Sequence, residues 1–182
     1  MNTPTSKYAA ERIFLIGPMG VGKTTIGLQL AQHLGYQFID SDKVVEERTG
    51  ATIPLIFEVE GEAGFRQRET LAIDELTQLD RVILATGGGA VISEQNRRYL
   101  AERGTVVFLH ADIDQLFERT SKDRNRPLLQ TDNPKQKLEQ IFQARKPFYQ
   151  EIADIEFDTG EHCLRDTIRL LLRQIQKYRA SV

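Results

Sequence analysis

One nine-residue stretch, Gly17-Pro-Met-Gly-Val-Gly-Lys-Thr-Thr25, constrains this chain more than any other; it follows the apolar run Ile13-Phe14-Leu15-Ile16 and precedes a helical pattern. It is a complete G-x-x-x-x-G-K-[ST] loop in the strand-loop-helix setting that such a loop requires. Gly17, Gly20 and Gly22 lack the Cβ that would block a tight turn or hold the backbone away from phosphate oxygens. Backbone N–H groups can then converge on one anionic hollow, and the helix starting near Lys23 adds its unpaired N–H groups and the positive end of its dipole. Lys23 reaches the β and γ phosphates of a bound nucleotide, and the Thr24 hydroxyl can ligate magnesium. A glycine-rich turn that binds nothing would not need this full pattern, so nucleotide binding is expected.

At 182 residues the chain suits one compact domain, 1–182, with a loose tail over residues 1–10. A net charge of −2 argues against broad nucleic-acid binding. The single Cys163 excludes an intramolecular disulfide, and with His33, His110 and His162 scattered it builds no metal cluster. Cys163 reads as a small packed residue at the start of a helix. The residues Met1 to Lys7 have no apolar signal-peptide core and no long apolar run follows, so a cytoplasmic protein without a membrane partner is expected. A monomer is the expected state.

Strand and helix patterns alternate along the chain. Ile26, Leu30, Ala31 and Leu34 recur at helical spacing up to Gly35. Tyr36 to Ile39 reads as a second strand that delivers Asp40-Ser41-Asp42 before a polar helix from Lys43 to Arg48. A short helix around Ile53, Ile56 and Phe57 is followed by a loop at Gly61 to Gly64, then by a helix burying Phe65, Ala72, Ile73, Leu76 and Leu79. Val82 to Ala85 is a continuous apolar strand broken by Gly87-Gly88-Gly89. Ser93 caps a helix to Arg103, Thr105 to Leu109 is another buried strand, and Asp112 caps the helix bearing Ile113, Leu116 and Phe117. Apolar periodicity is lost from about 121 to 133, a candidate mobile lid. Pro134 opens a helix whose Leu138, Ile141 and Phe142 face inward and which Pro147 should kink or end. Ile155 to Phe157 is a last strand, and Leu164, Ile168, Leu171, Leu172 and Ile175 form an apolar helix stripe. The expectation is a three-layer α/β/α domain with a five-stranded parallel sheet and helices on both faces.

Ligands of open parallel sheets sit at the carboxyl ends of the strands. There the phosphate loop is joined by Asp40 and Asp42, by the three glycines, and by arginines of separate segments. Asp40 and Asp42 alternate along an extended segment and should leave the backbone together, one toward magnesium and one toward a substrate; a strand end with a helix cap is the plainer alternative. The glycines suggest a ligand pressed on bare backbone, or only a sharp turn. Arg126 in the lid can stabilise a phosphoryl group in flight, with Pro127 keeping it extended and Leu128-Leu129 seating the closed loop. Arg66 and Arg145, taken singly, read better as ordinary exposed helix residues, since most charges face water.

The ordered set of motifs resembles shikimate kinase from about Ile13 to the last helix. Its pieces are the phosphate loop with Ile26-Gly27, Phe38-Ile-Asp-Ser-Asp42, Gly64-Phe-Arg-Gln-Arg-Glu69, Ala85-Thr-Gly-Gly-Gly89, Arg126-Pro-Leu-Leu129 and Arg145-Lys-Pro-Phe-Tyr149. The resemblance implies a P-loop kinase fold and ATP-dependent phosphorylation of the shikimate 3-hydroxyl. Matching positions give Asp42, Arg66, Gly88 and Arg145 as shikimate contacts, Asp42 also being the candidate base. Gly20, Val21, Gly22, Lys23, Thr24 and Thr25 would hold the triphosphate, Thr24 and Asp40 the magnesium, and Arg119 and Arg126 the nucleotide, with Arg119 beside the adenine. Lys23, Asp42 and Arg126 are the expected catalytic residues. Around Gly160-Glu161-His162 no arginine matches a basic nucleotide contact of some family members. The competing readings are a kinase for another hydroxy acid such as gluconate, and a nucleotide-switched binding protein.

Overall fold

A computed structural model describes residues 11–121 and 131–181. Five strands, β1 (Arg12–Ile16), β2 (Gln37–Asp40), β3 (Val82–Ala85), β4 (Thr105–His110) and β5 (Ile155–Asp158), form one sheet in the order β2-β3-β1-β4-β5. Every pairing is parallel, with Phe14 in register with Leu84 on one side and Val106 on the other. The helices are α1 (Lys23–Leu34), α2 (Ser41–Thr49), α3 (Ile53–Leu76), α4 (Glu94–Arg103), α5 (Ile113–Thr120), α6 (Pro134–Ile152) and α7 (Leu164–Ser181). A 3-10 turn, Ala90–Ile92, follows β3.

The continuous apolar runs of the central strands have a simple cause. Side chains of a strand alternate between faces, and here both faces are covered. Ile13 and Leu15 pack with Ile83, Val107 and Leu109 under α1 and α7, whereas Phe14 and Ile16 pack with Leu84, Val106 and Phe108 under α3, α4 and α6. The expected three layers are therefore present.

The elements differ from the sequence reading in five places. The long helix α3 spans the expected loop, because only Gly61, at φ 73° and ψ 178°, leaves helical geometry and the segments on either side stay joined across that kink. Leu79 lies beyond α3 and is 40% exposed instead of buried. Pro147 does not end α6, whose following turn is held down by buried Tyr149 and Ile152. Cys163 is exposed, its thiol 3.2 Å from a carboxylate oxygen of Asp166, and Leu164 is also exposed rather than part of the stripe. Finally, α2 begins at Ser41, so Asp42 stands on a helix. Ser93 Oγ accepts from Asn96 N and Asn133 Oδ1 from Gln136 N, whereas Asp112 stands at the N-cap of α5 without a side-chain cap bond.

Candidate active site

The phosphate loop leaves β1 beside β4 and enters α1. Gly17 has φ 141°, and a Cβ there would stand 2.2 Å from the Leu109 carbonyl oxygen, so no other residue fits this exit. Gly22, with φ 96°, is the N-cap of α1 and supplies no side-chain cap. The N–H groups of the first turn of α1 thus stay available to an anion. Lys23 Nζ donates to the carbonyls of Gly17 and Pro18, 2.8 Å from each, at the head of the loop.

Asp40 ends β2 and caps α2. Its Oδ1 accepts from the backbone N of Asp42 at 3.0 Å and of Lys43 at 3.5 Å, while its Oδ2 accepts from the Thr24 hydroxyl at 3.1 Å. The cap reading of Asp40 therefore holds, and its other oxygen adjoins the Thr24 hydroxyl at the cleft. The extended alternation of Asp40 and Asp42 does not, because a helix starts between them; the two carboxyls still line one cleft, Asp42 from the first turn of α2. Among the described residues no cluster of three or more His, Cys, Asp or Glu could hold a metal. A cation here would draw on the adjoining Thr24 and Asp40 oxygens and on oxygens of a bound phosphate, a donor set that suits magnesium.

A cleft of about 930 Å³ runs from the phosphate loop across the ends of β2 and β3. Gly20, Gly22, Lys23, Thr24, Thr25 and Arg119 line the cleft on the side of the phosphate loop, and Asp42, Phe57, Phe65, Arg66, Glu69, Gly88 and Arg145 line the rest. Arg66 is no idle surface residue: Nη1 donates to Glu69 Oε2 at 2.7 Å, Nη2 to Glu62 Oε1 at 3.2 Å, and its guanidinium lies over the Phe65 ring. Arg145 is only 9% exposed. Two clefts' worth of function would need two clefts; here both groups of residues share one.

Gly87-Gly88-Gly89 has a more specific reason than a sharp turn. A Cβ on Gly87 would stand 2.6 Å from Asp42 Oδ1 and 3.0 Å from Glu69 Oε1, and one on Gly89 would stand 2.3 Å from Arg66 Nη2. The bare backbone accommodates the charged side chains of the site itself. Gly88 differs, since its nearest neighbours would lie at 3.4 Å or more, and its carbonyl accepts from the Tyr149 hydroxyl at 2.5 Å.

Glu69 and Tyr149 belong to the site's immediate support and were noted in the sequence only as parts of motifs. Nothing in periodicity singles out a glutamate buried on α3, and only its three-residue spacing from Arg66 hints at the pair. Glu69 Oε1 and Asp42 Oδ1 are buried acceptors without a hydrogen-bond partner in the structure. Burial pushes the Asp42 carboxyl up to about 6, helped by nearby Asp40 and opposed by Lys23 and Arg66. Burial likewise pushes Glu69 up to about 7, against the pull of Arg66 and with a smaller push from Asp42. Both oxygens flank the bare backbone of Gly87, within the wall of the cleft.

Toward β5, Arg119 of α5 donates to Thr159 Oγ1 at 3.3 Å and to the Thr159 carbonyl at 3.5 Å, while the Thr159 hydroxyl reaches the Val21 carbonyl. Val21 is itself buried and thus contributes backbone rather than side chain. Arg126, with Pro127, Leu128, Leu129 and most of the expected lid, lies outside the described residues.

Comparison with known proteins gives a consistent answer. The family model described as shikimate kinase matches residues 19–176. A shikimate kinase of Methylococcus capsulatus is 54% identical over 167 residues, covering 92% of this chain and 93% of the relative. One from Actinobacillus pleuropneumoniae is 58% identical over 151 residues, covering 83% and 87%. Among solved structures, a shikimate kinase from Acinetobacter baumannii in complex with shikimate superposes with a TM-score of 0.89 at 48% identity, covering 91% of this chain and 93% of that one.

Proposed function

This chain belongs to the shikimate kinase family, and on that premise we propose a division of labour by which it transfers the γ-phosphoryl group of ATP to the 3-hydroxyl of shikimate, as one kinase domain. The observation that carries the reading is the single cleft shared by the phosphate loop, two buried or half-buried arginines and the Asp42 carboxyl. A ring acid with several hydroxyls matches such a wall: cations for its carboxylate, acceptors for its hydroxyls.

Arg66 and Arg145 bind the shikimate carboxylate through charge-assisted hydrogen bonds. Asp42 accepts from the ring hydroxyls and takes the proton of the attacking one, while Gly88 presents backbone to the ring. The shikimate oxygen forms a bond to the γ-phosphorus as the bond from that phosphorus to the bridging oxygen breaks, releasing ADP. The N–H groups of Gly20 to Thr25 hold the triphosphate, and Lys23 turns from the Gly17 and Pro18 carbonyls to the charge that grows on the transferring group. Arg119 lies beside the adenine and Arg126 closes over the phosphates. Magnesium, held through Thr24 and Asp40, would offset phosphate charge. The proposal includes a cytoplasmic monomer, in keeping with a cleft whose two ends come from one chain.

ATP turnover coupled to ADP detection, run against shikimate, gluconate and related hydroxy acids, tests this. Stimulation by shikimate alone is expected. Stimulation by gluconate in its place, or by none of the acids, would overturn it.

A further inference from the structure

Tyr149 is used by none of the steps above and does not line the cleft, yet it adjoins two groups that do. It stands on α6 one helical turn beyond Arg145, on the same side of the helix. Its side chain is 1% exposed and its ring stacks on Phe108 of β4, with centroids 5.0 Å apart and planes at 17°. The hydroxyl donates to the Gly88 carbonyl at 2.5 Å, and Arg145, one turn earlier on α6, lines the cleft. Burial pushes this phenol up to about 12, so it remains a donor across the working pH range.

A peptide unit is planar and trans, so fixing one edge fixes the other. With the Gly88 carbonyl turned back to Tyr149, the Gly89 N–H of the same peptide faces away from α6. We propose that Tyr149 is a positioning residue for the acceptor substrate: its hydroxyl locks the Gly88–Gly89 peptide to the turn of α6 that carries Arg145, holding the ring-facing backbone and the carboxylate-binding guanidinium at one separation. The inference rests on shikimate being the acceptor. Packing alone cannot be the purpose of the hydroxyl, because a phenylalanine would stack on Phe108 equally well.

Tyr149→Phe keeps the ring and removes only the hydroxyl. The expected result is a rise of roughly fivefold to tenfold in KM for shikimate, with KM for ATP changed less than about twofold, a loss of the size of one neutral hydrogen bond. In an Arg145→Lys background the same change should move KM for shikimate less than about twofold, because the locked partner has already been altered. A folded Tyr149→Phe enzyme with unchanged shikimate KM, equal weakening of both substrates, or an undiminished effect in the Arg145→Lys background would each overturn the inference. A wild-type enzyme that does not turn over shikimate would instead sink the assignment of the acceptor, before any variant is compared.

Discussion

Substituting Gly87 by alanine tests the site's central geometric claim, that bare backbone makes room for its carboxyls. A Cβ at Gly87 would lie 2.6 Å from Asp42 Oδ1 and 3.0 Å from Glu69 Oε1, whereas ordinary contact begins at 3.4 Å. Asp42 must therefore retreat by about 0.8 Å and Glu69 by about 0.4 Å. Neither has space to do so freely, since Glu69 is fully buried and held by Arg66, and Asp42 Oδ1 is buried too. Misplacing a reacting group by about 1 Å costs on the order of a hundredfold. We expect kcat/KM for shikimate to fall roughly thirtyfold to a hundredfold, equivalent to about 2 to 2.7 kcal/mol at about 1.36 kcal/mol per tenfold. KM for ATP should hardly move, because the phosphate loop is untouched. Gly88→Ala is the matched control: its Cβ meets nothing closer than 3.4 Å, so the melting temperature should stay near that of the wild type. Steady-state kinetics in both substrates, with thermal unfolding of each variant, provide the readout. A Gly87→Ala enzyme within about threefold of wild type would refute the reasoning, as would a melting temperature of Gly88→Ala lowered as far as that of Gly87→Ala.

Three further outcomes are expected. With Asp42 at about 6, kcat/KM for shikimate, which reports the free enzyme, should climb with pH up to that value and level off above it; Asp42→Asn should abolish that limb and slow single-turnover transfer roughly a hundredfold, and persistence of the limb would assign it elsewhere. Arg145→Lys retains charge but loses the planar fork, so isothermal titration should find weaker shikimate binding with ATP binding intact, and loss of both would give Arg145 to the nucleotide or the architecture. Glu69, raised from 4.5 to about 7, binds more protons folded than unfolded between those values, so the ligand-free protein should lose stability as pH rises through that window; Glu69→Gln should flatten the slope in urea titrations, and an unchanged slope would contradict it.

Most of the fold was legible because both kinds of period were strong. The fully covered sheet wrote itself as apolar runs at Ile13 to Ile16, Val82 to Ala85 and Thr105 to Leu109, and turn glycines marked the ends of α1 and α2. What escaped was non-local. Continuity of α3 across Gly61 depends on how the two segments pack, and Pro147 was outweighed by the burial of Tyr149 and Ile152. The active-site candidates were legible as motif members, but the relation between them was not. That Gly87 makes room for Asp42 and Glu69, and Gly89 for Arg66, joins residues from three separate segments, and no spacing along the chain encodes it. The burial of Arg145 was invisible for the same reason.

The strand order has a consequence for how such an enzyme can change. Since β1 sits between β3 and β4, the phosphate loop divides the sheet's carboxyl edge into two flanks: Asp42, Arg66, Glu69 and the glycines lie toward β2 and β3, while Arg119 and Thr159 lie toward β4 and β5. Under the proposed assignment, acceptor choice and phosphate donor choice fall in separate stretches of chain, so substitutions that retune one would leave the chemistry of the other standing. A lineage could exchange its hydroxy acid by revising α2, α3 and the turn after β3 while inheriting its nucleotide machinery whole. Only α6, which carries Arg145 to the acceptor from beyond the nucleotide flank, would have to be rewritten with care for both.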